Sequence, residues 1–414
     1  MQQLKENLFQ AYYLARKNKR NTYNQLRFEL HYEQELWKLY DDIITGNYQI
    51  GNSVAFIVDK PVKREIFAAD FRDRIMHHLI FLYINPILEA HFIEDSYSCR
   101  KNKGTLYGVR KAEQYMGEVS GHFTRDAYIL TLDIQGFFMS INKGILMEKL
   151  REMITENVFV EYWRKQADHH PENDLSYEML MSLLENIVHH SPESSCRMKG
   201  SFSQWEGLPA SKSLFTSPTH CGLAIGNLTS QLFSNVYLCS FDHFIKERLG
   251  IEYYGRYVDD FFIMHESKDE LKSLVGICRD YLQEHNRLTL HPNKIYLQHY
   301  SKGFSFLGAY IKPFRTYIGK RTKKNFKSLV HNHTQMLREQ EEIDKASIHK
   351  LRSGLNSYLG LLKHYKTYNL RKKILFKTGS SYERCGYFPS ELNKIILYKD
   401  CIVGKNSLKR VSLC

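Results

Sequence analysis

No run of apolar residues in this chain is long enough to cross a membrane. The longest, LIFLYINPIL from Leu79, holds ten residues and is interrupted by Asn85 and Pro86, against the roughly 20 that a spanning helix requires. The opening MQQLKENLFQ lacks the charged-then-apolar pattern of a secretory signal. The eight cysteines, Cys99, Cys196, Cys221, Cys239, Cys278, Cys385, Cys401 and Cys414, never fall in CxxC spacing, so neither a zinc site nor a disulfide framework is expected. Internal repeats and low-complexity tracts are missing too. These absences leave a soluble, cytoplasmic chain with reduced thiols as the expectation. Acidic residues are scarce in one segment only. Residues 311–380 hold 17 Lys or Arg and 4 Asp or Glu, while the rest of the chain holds 41 of each. The formal charge of +13 is therefore the charge of that segment. A basic surface so concentrated suits a polyanion, unless it is only a solvated helical face.

What is present supports a folded core: 43% of the 414 residues are hydrophobic. Leu36, Leu39, Tyr40 and Ile43 recur at helical spacing within a first segment that stops at Gly46. SVAFIV, 53–58, reads as a short strand, and a second amphipathic helix follows with Phe71, Ile75, His78, Leu79 and Leu82 on one face. Its neighbouring His77 and His78 face different ways and are read as packing or surface residues. AYILTLDI, 127–134, is a strand by composition. Residues 186–222, rich in Ser, His, Pro and Gly, predict a long connection, and 228–249 returns to helical spacing. After residue 311 the pattern is helical and basic. Leu351, Leu355, Tyr358, Leu359 and Leu362 form an apolar stripe there, with Lys350, Arg352, Lys363 and Lys366 among them.

One stretch does not fit a plain strand. In GRYVDDFFIM, 255–264, Asp259 and Asp260 interrupt an aromatic and aliphatic run. Paired carboxylates serve general acid–base chemistry or hold divalent metals, and otherwise mark a turn. Successive strand residues point to opposite faces, so the two acids need a tight turn between two short strands to converge. Two metal ions also need more negative charge than one side chain supplies. A third acid from another strand is expected, and Asp133, closing the apolar strand in LTLDIQGFF, supplies it.

YVDD resembles the metal-binding motif of reverse transcriptases, and LTLDIQGFF looks like their first acidic motif. KREIFAADFRDRIMHH is similar to the fingers block, with Arg64 at the position that meets the incoming triphosphate. SYSCRKNKGT looks like the next block, with Arg100. GLAIGNLTSQLFSN corresponds to the segment under the templating base. LHPNKIY, with Lys294, and GFSFLGAYI resemble the end of the palm and the primer grip. The likeness covers roughly residues 25–375. It implies an α+β, right-hand polymerase fold: an N-terminal helical segment (1–50), fingers (51–126), a palm of antiparallel sheet plus helices (127–310, with an insertion around 186–221), a basic helical thumb (311–380) and a tail (381–414). Where most of the family carries Gln, this chain has Ile225 before Gly226. Together with NLTSQ and LPASKSLF, this looks like the reverse transcriptases of diversity-generating retroelements. Those make error-prone cDNA from a template RNA, misincorporating opposite adenine, for diversification of a target gene.

The resemblance also implies roles. Asp133 and Asp259 would be the main ligands of two Mg²⁺ ions, with Mn²⁺ a possible substitute, Asp260 a weaker acid, and the Ile134 carbonyl a further oxygen. Arg64, with Lys60 or Lys63, would meet the triphosphate. Phe138 falls at the steric-gate position, Ile225 and Gly226 under the base pair, and Lys294 near the leaving pyrophosphate or in a structural role. Arg100, Gln231, Gly308 and Lys363 would contact template or primer. The implied partners are template RNA, a DNA or RNA primer, dNTPs and a small basic ring-forming accessory protein, with no membrane, in a prokaryotic or phage-encoded setting. Other readings are a group II intron, retron or phage-defence reverse transcriptase, a catalytically inactive RNA-binding scaffold, and a metal-dependent nuclease.

Overall fold

The structure is a computed structural model that describes residues 2–17, 22–59, 62–166, 174–340, 343–377 and 381–398. The chain forms two compact units, residues 1–108 with 128–297, and residues 109–127 with 298 onward. Residues 109–127, expected with the fingers, are thus compact with the later part of the chain.

The first unit opens with α1 (Gln2–Arg16), α2 (Tyr23–Glu29) and α3 (Tyr32–Ile44), and the chain turns at Gly46 with φ +70°. The hairpin β1 (Val54–Val58) and β2 (Arg64–Ala68) follows. Next comes α4 (Phe71–Glu89), started by Asp70, whose carboxylate accepts from the Arg72 amide at 3.2 Å. This helix is buried on nearly every side, because α1 packs on one flank and α10 (Leu228–His243) on another. The inward histidine is His77, not His78: it is buried, and its Nδ1 lies 2.8 Å from Thr229 Oγ1. Pro86 lies inside the helix, which continues to Glu89; a proline so near the end forfeits one backbone bond without stopping the helix. Among the described residues no helix is long and apolar enough to cross a membrane.

The sheet of this unit carries the acids. β3 (Tyr128–Asp133), β5 (Tyr253–Tyr257) and β6 (Asp260–His265) are antiparallel in the order β5-β6-β3, with β7 (Tyr296–His299) beyond β3. α10 and α11 (Lys268–Asn286) pack with the apolar side chains of β3 and β6 into one core. The expected helix over 228–249 ends in a single π turn, Phe244–Arg248. The long connection runs through β4 (Arg197–Met198), which pairs in parallel with β1, and then through three short 3₁₀ turns.

In the second unit β8 (Phe304–Phe306), β9 (Ala309–Lys312) and β10 (Arg315–Ile318) form a three-stranded meander. Leu307 and Gly308 both take positive φ in its first turn, +49° and +79°, the geometry of a type I′ hairpin. Residues 311–318, read as the start of a helical segment, therefore complete a sheet, and the helices begin at Lys320. They are α12 (Lys320–Glu339), α13 (Lys345–Leu362) and α14 (Tyr368–Phe376). Their core holds Phe326, Val330, Leu351, Leu355, Leu359 and Leu362, with Tyr358 packed against it. The stripe read from the sequence is that core.

Candidate active site

The acids meet at the open end of the sheet. Asp133 and Asp260 are direct cross-strand partners, as are Tyr257 and Asp260. Val258 and Asp259 are therefore the two central residues of a hairpin turn. Val258 has φ +59°, a conformation that a β-branched side chain adopts only under strain and that hairpins normally give to glycine. The strain carries Asp259 out of the strand alternation and onto the side of Asp133. Burial pushes the Asp259 carboxyl up to about 6, and the Asp133 charge adds to the shift. Asp260 is pushed up to about 7, first by burial and then by Asp259 and Asp133. These are like charges crowded at one place and waiting for a cation.

A buried network holds the strained turn. Arg256 Nη1 donates to the Val258 carbonyl at 2.8 Å. The same guanidinium forms a forked pair with Asp242, Nε to Oδ1 at 2.7 Å and Nη2 to Oδ2 at 2.5 Å. Tyr254 Oη donates to Asp242 Oδ1 at 2.6 Å. Both members of the ion pair are fully buried. On the other side of the turn the Val258 amide reaches Ser98 Oγ at 3.3 Å, and Ser98 is tied to Asn235. No local motif in the sequence links Arg256 to Asp242. The available signal was an arginine inside an apolar strand and an aspartate inside an apolar helix, since buried charges occur paired.

Cations flank the acids. Lys294 Nζ sits 2.8 Å from Asp133 Oδ1, and its charge draws the Asp259 and Asp260 carboxyls back down. The Arg64 charge acts on Asp259 in the same sense. Among the described residues no three His, Cys, Asp or Glu side chains form a ready-made metal cage. The donor set nevertheless fits a hard cation that shares its shell with water and substrate phosphate. Asp133 and Asp259 supply carboxylates. Ile134 and Leu290 form an isolated bridge flanked by the Gln135-to-Thr289 and His291-to-Asp133 bonds. In such a narrow pair the carbonyl points away from its partner, so that of Ile134 faces the β6 side.

The remaining expected residues divide. Phe138, partly buried, and Ile225 pack against one cluster made of Ala55, Phe67, Met139, Leu214 and Ala224. The Ile225 carbonyl accepts from the Phe67 amide at 2.9 Å. Gly226 has φ +133°, and a Cβ there would lie 2.8 Å from the Phe67 carbonyl, so only glycine fits. Lys63 Nζ donates to the Glu206 carbonyl at 2.6 Å; Lys60 lies outside the described residues. Gln231 is exposed and accepts from Cys99 Sγ. Arg100 is turned into the protein. Its side chain is 6% exposed, pairs with Glu89 near the end of α4 at 2.7 Å and donates to the Phe92, Ile93 and Ser96 carbonyls of the loop that follows the helix. The structure gives it a bracing role, and a contact with template or nucleotide would break those bonds. Gly308 and Lys363 belong to the second unit, at the β8–β9 turn and the end of α13.

The family model described as reverse transcriptase (RNA-dependent DNA polymerase) matches residues 60–311. Protein YkfC of Escherichia coli K12 is 22% identical over 311 residues, 66% of this chain and 70% of that protein. Similar solved structures include telomerase from Candida albicans in complex with a fragment of telomeric RNA, at TM-score 0.44 and 11% identity over 86% of this chain. Apo telomerase from Candida tropicalis is similar at TM-score 0.46 and 14% identity over 83% of this chain. This chain covers 60% and 64% of those two telomerase chains.

Proposed function

Since this chain belongs to the reverse transcriptase (RNA-dependent DNA polymerase) family, we propose that it copies an RNA template into DNA by metal-dependent nucleotidyl transfer at Asp133, Asp259 and Asp260. The observation that carries the reading is the strained hairpin that brings Asp259 to Asp133, with Arg64 and Lys294 as flanking cations. Two Mg²⁺ ions, or Mn²⁺, would there polarise the α-phosphate and lower the pKa of the primer 3′-hydroxyl. Arg64 and Lys63 neutralise the incoming triphosphate. Lys294, paired with Asp133, meets the leaving pyrophosphate. Phe138 blocks a ribose 2′-hydroxyl. α12–α14 form the thumb that grips the template–primer backbone; Gln231 in the first unit and Gly308 and Lys363 in the second each contact template or primer.

The product is error-prone cDNA of a diversity-generating retroelement. Ile225 supports this finer reading. A glutamine amide would hydrogen-bond the nucleotide, whereas an aliphatic side chain cannot. One such contact is worth about 1–2 kcal/mol, or roughly ten-fold in discrimination. A small basic ring-forming accessory protein is the proposed partner.

Primer extension on a defined RNA template with Mg²⁺ and dNTPs, followed by sequencing of the cDNA, tests both levels. Errors concentrated opposite adenine, and their loss in Ile225→Gln, are the expected result. Accurate cDNA would discard the retroelement assignment and keep the polymerase. Absence of product with and without the accessory protein would discard the polymerase.

A further inference from the structure

The segment from Lys199 to Ser217 has no part in the chemistry above, yet it is fastened to the catalytic unit at several points. At its start the Lys199 amide donates to the Ala55 carbonyl of β1 at 2.8 Å. In its middle the Ser211 carbonyl is pressed so close to Gly136 that a Cβ there would lie 2.5 Å away. Gly136, at φ +57°, is the turn that leads from Asp133 into Phe137 and Phe138. The principal fastening is Glu65, which is 1% exposed. Its carboxylate accepts from Trp205 Nε1 at 2.7 Å, Ser213 Oγ at 2.8 Å and the Leu214 amide at 2.6 Å.

Among the described residues Glu65 has no charged partner, and a carboxylate buried in that way is costly. Three donors converging on Glu65 offset that cost only while the segment is docked, so the docking geometry is specified closely. Strand alternation does the rest. In β2 Glu65 and Phe67 point inward and Arg64 points out. One strand thus carries the residue proposed for the triphosphate on one face and the clamp of this segment on the other. Clamped in this way, Leu214 fills the cluster against which Phe138 and Ile225 both pack, and Phe215 lies 5.6 Å from Phe67, ring to ring.

We propose that the segment Trp205–Phe215 is the selectivity wall of the nucleotide pocket: Glu65 fastens it, and Leu214 sets how far Phe138 and Ile225 stand from the sugar and the base pair. The proposal rests on reading Phe138 and Ile225 as nucleotide-facing. Glu65 and Leu214 are positioning residues, acting through those two side chains and not on the phosphates.

Single-nucleotide insertion by the full chain on an RNA template tests it, with kcat and KM measured separately for the correct dNTP, a mismatched dNTP and the matching rNTP. Leu214→Ala is expected to raise the rNTP-to-dNTP and wrong-to-right efficiency ratios by about ten-fold, the scale of a loosened pocket contact. Ser213→Ala removes one donor to Glu65 at nearly constant shape, and Trp205→Phe removes another while keeping an aromatic ring, smaller than the indole. Both should raise the ratios by about three-fold, with kcat for the correct dNTP held to within about two-fold. Gln204→Ala, an exposed side chain of the same segment, should change nothing. Glu65→Gln is the stronger lesion, and the two donor variants carry the test if it fails to fold. Variants that melt at lower temperature yet keep the wild-type ratios would reduce the segment to a strut and overturn the proposal. A wild-type chain that makes no RNA-templated product would instead overturn the polymerase reading.

Discussion

The carboxylate turn and the start of α12 hold like charges together in opposite ways. At the turn, Asp133, Asp259 and Asp260 are crowded by burial, and a fully buried Arg256–Asp242 pair fixes the backbone that presents them. On α12, Lys320, Arg321, Lys323, Lys324 and Lys327 lie exposed. They crowd the start of a helix with no acid in its first turn, where the helix dipole disfavours the cations of that turn, such as Lys320 and Arg321. Both arrangements are unfavourable in the free protein, and each makes sense as half of a complex. The difference is in how the charge is delivered. The first site is a geometry, in which one group moved by an ångström is lost. The second is a field, in which each cation counts about equally and none is unique.

The comparison breaks most visibly at Asp259. Asp259→Ala should lower metal-dependent nucleotide incorporation at least about a thousand-fold, with folding and RNA binding retained by circular dichroism and filter binding. Residual activity within ten-fold of wild type would mean that the turn is not the metal site.

Arg256 is the next lever. Arg256→Met leaves the Asp242 carboxylate buried without its partner and should cost about 3–5 kcal/mol of stability. Replacing both members, Asp242→Leu with Arg256→Met, should recover most of that stability, because a buried ion pair and a packed apolar pair of similar volume are close in free energy. It should not recover activity, because the Val258 carbonyl still lacks its donor. A several-fold weaker Mn²⁺ affinity in a direct binding titration is the companion readout. If activity returned with stability, the pair would be ordinary core.

The field on α12 predicts a graded response. Each of Lys320, Lys323, Lys324 and Lys327 changed to Gln should weaken binding of an RNA–DNA duplex uniformly across sequences. Each that meets a phosphate should reduce the slope of log K against log salt by about 1. One substitution that removed nearly all affinity would turn the field back into a geometry.

The two regions also differ in how far the sequence reveals them. The hairpin, the Asp133 strand and the α13 stripe are written in local alternation and periodicity. The α12 charge is written in composition. What escaped was pairing across distance. Arg256 finds Asp242 from a neighbouring helix, and Glu65 finds donors in Trp205, Ser213 and Leu214 across the long connection. No local pattern names such partners, although a charge inside an apolar run announces that one exists. Arg100 shows the converse. A basic residue within a family-like block is expected to reach outward, whereas here it is held by the carbonyls of the loop after α4. Residues 311–318 share the basic composition of α12, which on its own reads as helix. Arg315–Ile318 instead folds back on Ala309–Lys312 through a tight turn at Phe314, a local hairpin that composition hides.

The smallest expected effect sharpens the comparison most, because only a crowded geometry produces it. Burial and mutual repulsion raise Asp259 to about 6 and Asp260 to about 7 in the folded, metal-free chain. In the unfolded chain both would titrate near the ordinary aspartate value of about 4. Between those limits the folded state binds more protons than the unfolded state, so these two groups make stability fall as pH rises from about 4 to about 7. Above that window the penalty is complete. His77, held down to about 3 by burial, works in the opposite sense. Its neutral form suits the folded state, and stability is lost as pH drops below about 6.5. Comparing wild type with Asp259→Asn/Asp260→Asn cancels the histidine, which both proteins share. In metal-free buffer the double variant should melt higher than wild type at pH 8, by a few degrees, and the two should converge toward pH 4. Saturating Mg²⁺ at pH 8 should close the gap by stabilising wild type alone. A gap independent of pH would mean that the carboxylates are not crowded, and the turn would then be a field like α12.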